Sequence, residues 1–398
     1  MNRLKEVYRN DLPGRFNEME MLDRHFSRIL NVFNGNILPP YEILIHTSSI
    51  CNLNCKWCIG GYVSSKENKD ALLDNNLLKK ENMVKIVNSI INYKKMGYDY
   101  KNNCNKEYKV ENVTFSGITG EPLIAKDSIL YAIDELSKHN IRVGIFTNGV
   151  LINKEMYETL LKLGYILISI DAGNSETYNK LKCNGNDTNN FDTILKNIEE
   201  LSELKKEYDS NVDINGGYVI NQYNYNQIYE LAEKLKKIGV HYLRFKTDIA
   251  SLLVMNDEQK NKASEQIKRI RKELCDDYFS VVEIHNVMND REKIRKFSKC
   301  FVHYLIGNIS ADGRVYLCNY HPKKNGYNYG SAIEQDFSEI WERILESDVD
   351  NKIPKICPFV CDPFKNRANR LLEIAYEIYK KDGLESLIKN IEEIKESK

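Results

Sequence analysis

Two rhythms of apolar residues alternate along this chain. From 77 to 96, Leu77, Leu78, Met83, Val84, Ile86, Val87, Ile90 and Ile91 fall at the three- and four-residue spacing of an amphipathic helix, and Gly97 closes the run. Short apolar, β-branched and aromatic runs at 41–46, 110–115, 141–146, 165–170, 212–220 and 241–245 read as strands. Between them, 128–139, 154–163, 190–207 and 227–238 return to the helical spacing. This alternation predicts an α/β fold with six parallel strands joined by helical crossovers. Past 250 the pattern changes: 257–278 reads as a polar helix bridging two domains, and 281–285 as a strand. Asp312-Gly313 between two alternating apolar runs then predicts a β-hairpin. The Asn/Lys-rich stretch 98–109 reads as a surface loop, and the Lys/Glu-rich end from 373 as an amphipathic or solvated helix. No internal repeat interrupts the series.

Composition narrows the class. With 398 residues, 42% of them hydrophobic, the chain can bury a full core and is long enough for one large domain and a smaller one. Lys+Arg and Asp+Glu both total 57, and the zero net charge argues against nucleic acid or an anionic membrane as partner. The first ten residues lack the apolar core of a signal peptide, and no run reaches the roughly 18 apolar residues of a membrane span, so a cytoplasmic protein is expected. In that reducing setting, ten cysteines point to metal or catalysis rather than disulfides, the more so because seven fall in two neighbourhoods.

The first neighbourhood is Cys51-Asn-Leu-Asn-Cys55-Lys-Trp57-Cys58, directly after the first strand. A closed zinc site needs four ligands, and no nearby Cys or His completes this trio. Three thiolates can instead hold three irons of a four-iron, four-sulfur cluster and leave the fourth open to a small molecule. The second neighbourhood contains Cys300, Cys318, at the end of the hairpin's second strand, and Cys357-Pro-Phe-Val-Cys361. Four thiols are enough for one further cluster, or for a structural zinc.

The spacing of the trio, three residues then two, resembles that of the radical S-adenosylmethionine (SAM) superfamily. The resemblance covers residues 40–375 and implies a partial (β/α)6 barrel, in which SAM chelates the open iron and is cleaved to a 5'-deoxyadenosyl radical. Ligands of such sheets sit at the C-terminal ends of the strands. There Ser116-Gly-Ile-Thr-Gly120-Glu121-Pro122 resembles the family's Gly-Gly-Glu-Pro turn, with Thr119 in place of the first Gly. The resemblance implies SAM contacts at Gly120, Glu121, Thr147, Asn148, Ser169 and Asp171, and a cofactor-facing Trp57. Lys182 falls where relatives carry an Arg that pairs with the SAM carboxylate. The C-terminal part resembles the SPASM/twitch extension, a hairpin plus helix, which implies one auxiliary 4Fe–4S cluster on Cys300, Cys318, Cys357 and Cys361.

The domains expected are an N-terminal extension (1–40), the barrel (41–250), a bridging helix and strand (251–296), the auxiliary-cluster domain (297–375) and a helical tail (376–398). The family's chemistry implies an oxidoreductase in which an auxiliary cluster accepts an electron from a substrate radical. A peptide made on the ribosome is the favoured substrate, with a flavodoxin- or ferredoxin-type electron donor. Two alternatives stay open: a dehydrogenase or epimerase of a sugar, cyclitol or nucleoside, and a non-catalytic metal scaffold. For epimerisation, Cys183 in the loop after the fourth strand is the candidate hydrogen donor.

Overall fold

The computed structural model describes residues 2–7, 12, 17–59, 76–117, 120–249, 251–284, 286–288, 295–320, 326–353, 355–357 and 361–396. Its centre is a ten-stranded sheet. Seven strands run parallel in the order β1 (Glu42–Ile45), β4 (Asn112–Phe115), β5 (Arg142–Thr147), β6 (Tyr165–Ser169), β7 (Asp213–Ile220), β8 (Tyr242–Thr247) and β9 (Ser280–Glu283). All six expected strands are present as neighbours, and the run near 281 adds a seventh at the edge; His285 lies outside the described residues.

Period-two alternation divides each strand between two environments. Ile43 and Ile45, Val143 and Ile145, Ile166 and Ile168, and Leu243 and Phe245 point into the buried helix-covered face. Their neighbours Glu42 and Leu44, Arg142 and Phe146, Tyr165 and Leu167, and Arg244 and Lys246 line a cavity on the other face. Because the strands are parallel, their C-terminal ends lie along one edge of the sheet, which is where the cysteine loop and the polar turns gather.

The hairpin at Asp312-Gly313 forms as expected, from β10 (Ile306–Ile309) and β11 (Arg314–Tyr316), with β12 (Asn328–Ser331) added beyond it. It does not stand apart. β10 pairs in parallel with β1, so the C-terminal strands extend the main sheet. Trp341, on α10 (Phe337–Glu342), is buried and donates its indole N–H to the Leu38 carbonyl across this join at 3.0 Å.

Several expectations are corrected. Helix α3 covers only Lys80–Asn92, because Lys94–Asp99 (β2) pairs with Cys104–Lys109 (β3) in a two-stranded hairpin; 98–109 is therefore a strand pair and not a loop. Asn103, at φ +54°, makes the turn, a conformation Asn tolerates better than most residues. The 154–163 segment is a short 3-10 turn (Lys154–Met156) and one α-turn (Tyr157–Leu160). A helix not foreseen, α6 (Ser175–Lys182), is capped by Asn174 accepting from the Thr177 N–H; Lys182 is its last residue, and Cys183, expected in a loop, is its C-cap. The C-terminal segment is one long helix, α11 (Pro363–Lys395), kinked at Gly383; Leu387, Ile391 and Ile394 are buried, which bears out the amphipathic of the two readings given for this end. The N-terminal α1 (Glu18–Arg24) and α2 (Phe26–Phe33) belong to the core, every residue of α2 being buried. The polar helix (Asp257–Glu273) packs beside Ile228–Lys237 and β9. Among the described residues no helix is long and apolar enough to cross a membrane.

Candidate functional site

Cys51, Cys55, Trp57 and Cys58 line one cavity of about 520 Å³ together with Gly120, Glu121, Thr147, Asn148, Ser169, Asp171 and Lys182. Every residue expected at the first site thus faces the same space, whose size falls in the range of small-molecule pockets. Thr119 lies outside the described residues.

Main-chain bonds build this convergence. The Glu121 N–H donates to the Ile50 carbonyl at 2.8 Å, which seats the polar turn on the start of the cysteine loop. The fit is close: a Cβ at Gly120 would collide with the Ser48 carbonyl, so only glycine allows this approach. Cysteine-loop N–H groups of Asn54 and Lys56 donate to the Lys182 and Leu181 carbonyls at 2.9 and 3.0 Å. The last carbonyls of α6, which have no partner within the helix, are satisfied by the loop.

Glu121 is 2% exposed. Its carboxylate accepts from the Thr147 hydroxyl (2.5 Å), the Asn148 N–H (2.8 Å) and the Leu123 N–H (3.1 Å). Burial raises its pKa, and these donors work against that rise. The side chain is therefore a latch between the turn and the end of β5. Asn148 continues the latch by donating to Asn52 Oδ1, next to Cys51, at 2.8 Å; Asn52 was not singled out in the sequence because this contact spans 96 residues.

Lys182 is buried and donates to Asp171 Oδ2 at 2.8 Å and to the Ser169 carbonyl at 2.6 Å. Burial works against its charge, but Asp171 and Cys55 outweigh that and raise its pKa. Its ammonium is thus already engaged by the chain's own carboxylate. Cys183 does not join the cavity lining; its sulfur lies 3.7 Å from Thr188 Oγ1 and from Asn190 Nδ2.

The donor chemistry suits an iron–sulfur group. Burial pushes the Cys55 thiol up to about 12, so as a free thiol it stays protonated at neutral pH, whereas a thiolate is stabilised by metal. Cys300 is pushed to about 12 for the same reason. Cys300, Cys318, Cys357 and Cys361 line a second cavity, walled by Phe297, Leu317 and Ile353. Ile306, Tyr320 and Lys365 line both cavities. Among the described residues no three His, Cys, Asp or Glu side chains are gathered closely enough to hold a single metal ion.

Further cavity residues were missed by sequence reading. Arg244 and Lys246 alternate along β8; Lys246 sits 3.5 Å from Asp362, the N-cap of α11, and burial lowers its pKa. Lys365 donates to Asn319 at 2.7 Å. A lysine four residues past Cys361 carries no signal until α11 turns it toward both cavities.

Residues 45–222 match the sequence model of the radical SAM superfamily, and residues 300–362 match that of an iron–sulfur cluster-binding domain, SPASM. The chain thus carries a radical SAM domain and a SPASM domain. Radical SAM domains bind SAM and a 4Fe–4S cluster, and SPASM domains bind auxiliary iron–sulfur clusters. Among curated relatives, the chain is 24% identical over 336 residues to the cysteine-type anaerobic sulfatase-maturating enzyme of Clostridium novyi, covering 77% of this chain and 80% of that protein. It is 27% identical over 246 residues to a protein named GTPase Obg of Brachyspira hyodysenteriae, covering 60% of this chain but only 33% of that protein. The fold is similar to the crystal structure of Streptococcus suis SuiB bound to precursor peptide SuiA, with a TM-score of 0.57, 18% identity and coverage of 90% of this chain and 78% of that one.

Proposed function

We propose that this chain is a radical SAM maturase that oxidises a peptide, with Cys51, Cys55 and Cys58 holding the SAM-site cluster and Cys300, Cys318, Cys357 and Cys361 holding one auxiliary cluster. The observation that carries this reading is the pair of adjoining cavities: one gathers three thiols with the polar strand ends, the other gathers four thiols, and Ile306, Tyr320 and Lys365 wall both. When bound, these cofactors supply hydrogen-atom abstraction from an unactivated carbon and a nearby acceptor for the second electron.

The chain's residues position and shield. Gly120 lets the main chain approach the bound molecule, the Glu121 latch fixes the turn against β5, and Asn148 ties both to the loop carrying Cys51. Phe146, Tyr165 and Leu167 give the cavity an apolar wall that keeps water away from a reactive carbon. Arg244, Lys246 and Lys365 add basic side chains to the cavity lining.

A peptide substrate is favoured because one relative is named for maturing a sulfatase and a structure of like fold is described with a precursor peptide bound. The test has two stages. Anaerobically reconstituted protein with dithionite and SAM should form 5'-deoxyadenosine; peptides encoded beside the gene should then lose two hydrogens, read as a 2 Da decrease by mass spectrometry. Turnover of SAM with no change in any such peptide, but with oxidation of a sugar or nucleoside, replaces the peptide reading.

A further inference from the structure

We propose that Asn369 is a positioning residue of the C-terminal thiol site and that its side-chain amide, by donating to the Cys300 sulfur, makes the auxiliary cluster easier to reduce. This rests on the assignment of Cys300 as a ligand of that cluster above.

Asn369 belongs to a polar stripe on α11. Asn366, Asn369 and Glu373 recur at three- and four-residue spacing, which puts them on one face of the helix. All three accept main-chain N–H groups from the segment that carries Cys300. Asn366 takes Lys296 at 3.2 Å, Glu373 takes Ser298 at 3.1 Å and Lys299 at 3.3 Å, and Asn369 takes Val302 at 2.9 Å. Val302 opens a 3-10 turn (Val302–Tyr304), so its N–H has no partner inside the turn, and Asn369 supplies one.

This last bond settles which way the amide faces. A backbone N–H can only donate, so the atom opposite Val302 is the Asn369 oxygen, and the Nδ2 group is left to donate to Cys300 Sγ at 3.4 Å. Asn369 is 1% exposed and stands 69 positions from the cysteine it meets. Both residues line the second cavity, with Phe297, Leu317 and Ile353 in its wall.

Asn369 is neutral, so its effect on the sulfur comes from one hydrogen bond of known direction and length and not from a balance of ion pairs. An added electron makes the cluster's sulfurs more negative, and an N–H aimed at one of them stabilises that state, the more so in apolar surroundings. Hydrogen bonds to the sulfurs are among the determinants of iron–sulfur potentials. A raised potential makes the cluster a readier electron acceptor.

The test is a redox titration of the full, anaerobically reconstituted chain, followed by electron paramagnetic resonance. The auxiliary signal is the one that does not respond to added SAM and that survives in Cys51→Ala/Cys55→Ala/Cys58→Ala. Asn369→Leu, close in size and without polar side-chain atoms, should shift its midpoint to a more negative potential, lowering the equilibrium constant for reduction about threefold or more, with about four auxiliary irons per chain retained. Asn369→Met, whose flexible side chain fills the same space if the leucine variant fails to fold, should shift it the same way. Glu373→Ala removes the bonds to Ser298 and Lys299, and a negative charge, but not the bond to Cys300, so it should not make the midpoint more negative. A wild-type midpoint in the Asn369 variants overturns the inference. So does an equal negative shift in Glu373→Ala, which would assign the effect to a loosened segment, or loss of the auxiliary iron in the Asn369 variants, which would make Asn369 a structural residue alone. A wild-type chain with no SAM-independent cluster signal would overturn the assignment of Cys300 itself.

Discussion

Glu121 is buried and accepts three hydrogen bonds, so removing its carboxylate leaves buried donors without partners. Each such loss costs about 1–3 kcal/mol. Glu121→Ala should lower the unfolding free energy by at least that much and cut 5'-deoxyadenosine formation at least tenfold; unchanged SAM cleavage would contradict the latch. His46 makes a pH prediction. It is buried, its Nδ1 lies 3.0 Å from the Ser116 carbonyl, and burial holds its pKa near 4 instead of 6.5. A depressed histidine contributes stability that is present above pH 6.5 and is lost as pH falls toward 4, about 2 kcal/mol of it by pH 5. In urea titrations at pH 7 and pH 5, wild type should therefore lose about 2 kcal/mol more than His46→Gln; equal losses would sink the assignment. At this scale the sequence was most legible where partners are local. The spacing of Cys51, Cys55 and Cys58 lies within eight residues, whereas Asn52 to Asn148 and Lys182 to the cysteine loop are contacts made only by folding.

Helix α11 carries the clearest lesson at the scale of elements. Its Lys/Glu-rich end reads as an amphipathic or a solvated helix, and the structure decides for the first: Leu387, Ile391 and Ile394 form a stripe at three- and four-residue spacing that packs into the core. Leu387→Ala should cost about 2–5 kcal/mol in chemical denaturation, and a change within experimental error would return the end of α11 to solvent. The β2–β3 hairpin was masked for a similar reason: polar residues dominate β3, and only Tyr108 of that strand is buried. Cys104 is exposed at its turn-proximal end, and Cys275 lies away from both thiol cavities. Cys104→Ser and Cys275→Ser should leave the iron content of the reconstituted protein unchanged. The parallel strands were legible because their helix-covered positions are β-branched and apolar, as in Ile43 and Ile45, Val143 and Ile145, and Ile166 and Ile168. Helix α6 was not, because Ser175–Lys182 is mostly polar and is held by its Asn174 cap and by the cysteine loop.

Across the whole molecule, the sheet places the two thiol sets side by side. β10 pairs with β1, whose C-terminal end leads into the Cys51–Cys58 loop, and β11 leads directly to Cys318. Sequence patterns located both thiol sets but gave no sign that they belong to one continuous sheet, because strand pairing between residues 42 and 306 leaves no local trace. The account predicts about eight irons per reconstituted chain and about four when either thiol set is removed. Zinc bound at Cys300, Cys318, Cys357 and Cys361 would instead make the second site structural. The central claim, that the trio and not the C-terminal thiols supports SAM cleavage, is tested most directly by Cys51→Ala/Cys55→Ala/Cys58→Ala. With dithionite and SAM this variant should retain the auxiliary cluster's absorption and form no 5'-deoxyadenosine, while wild type forms it; SAM cleavage retained in the variant would contradict the account.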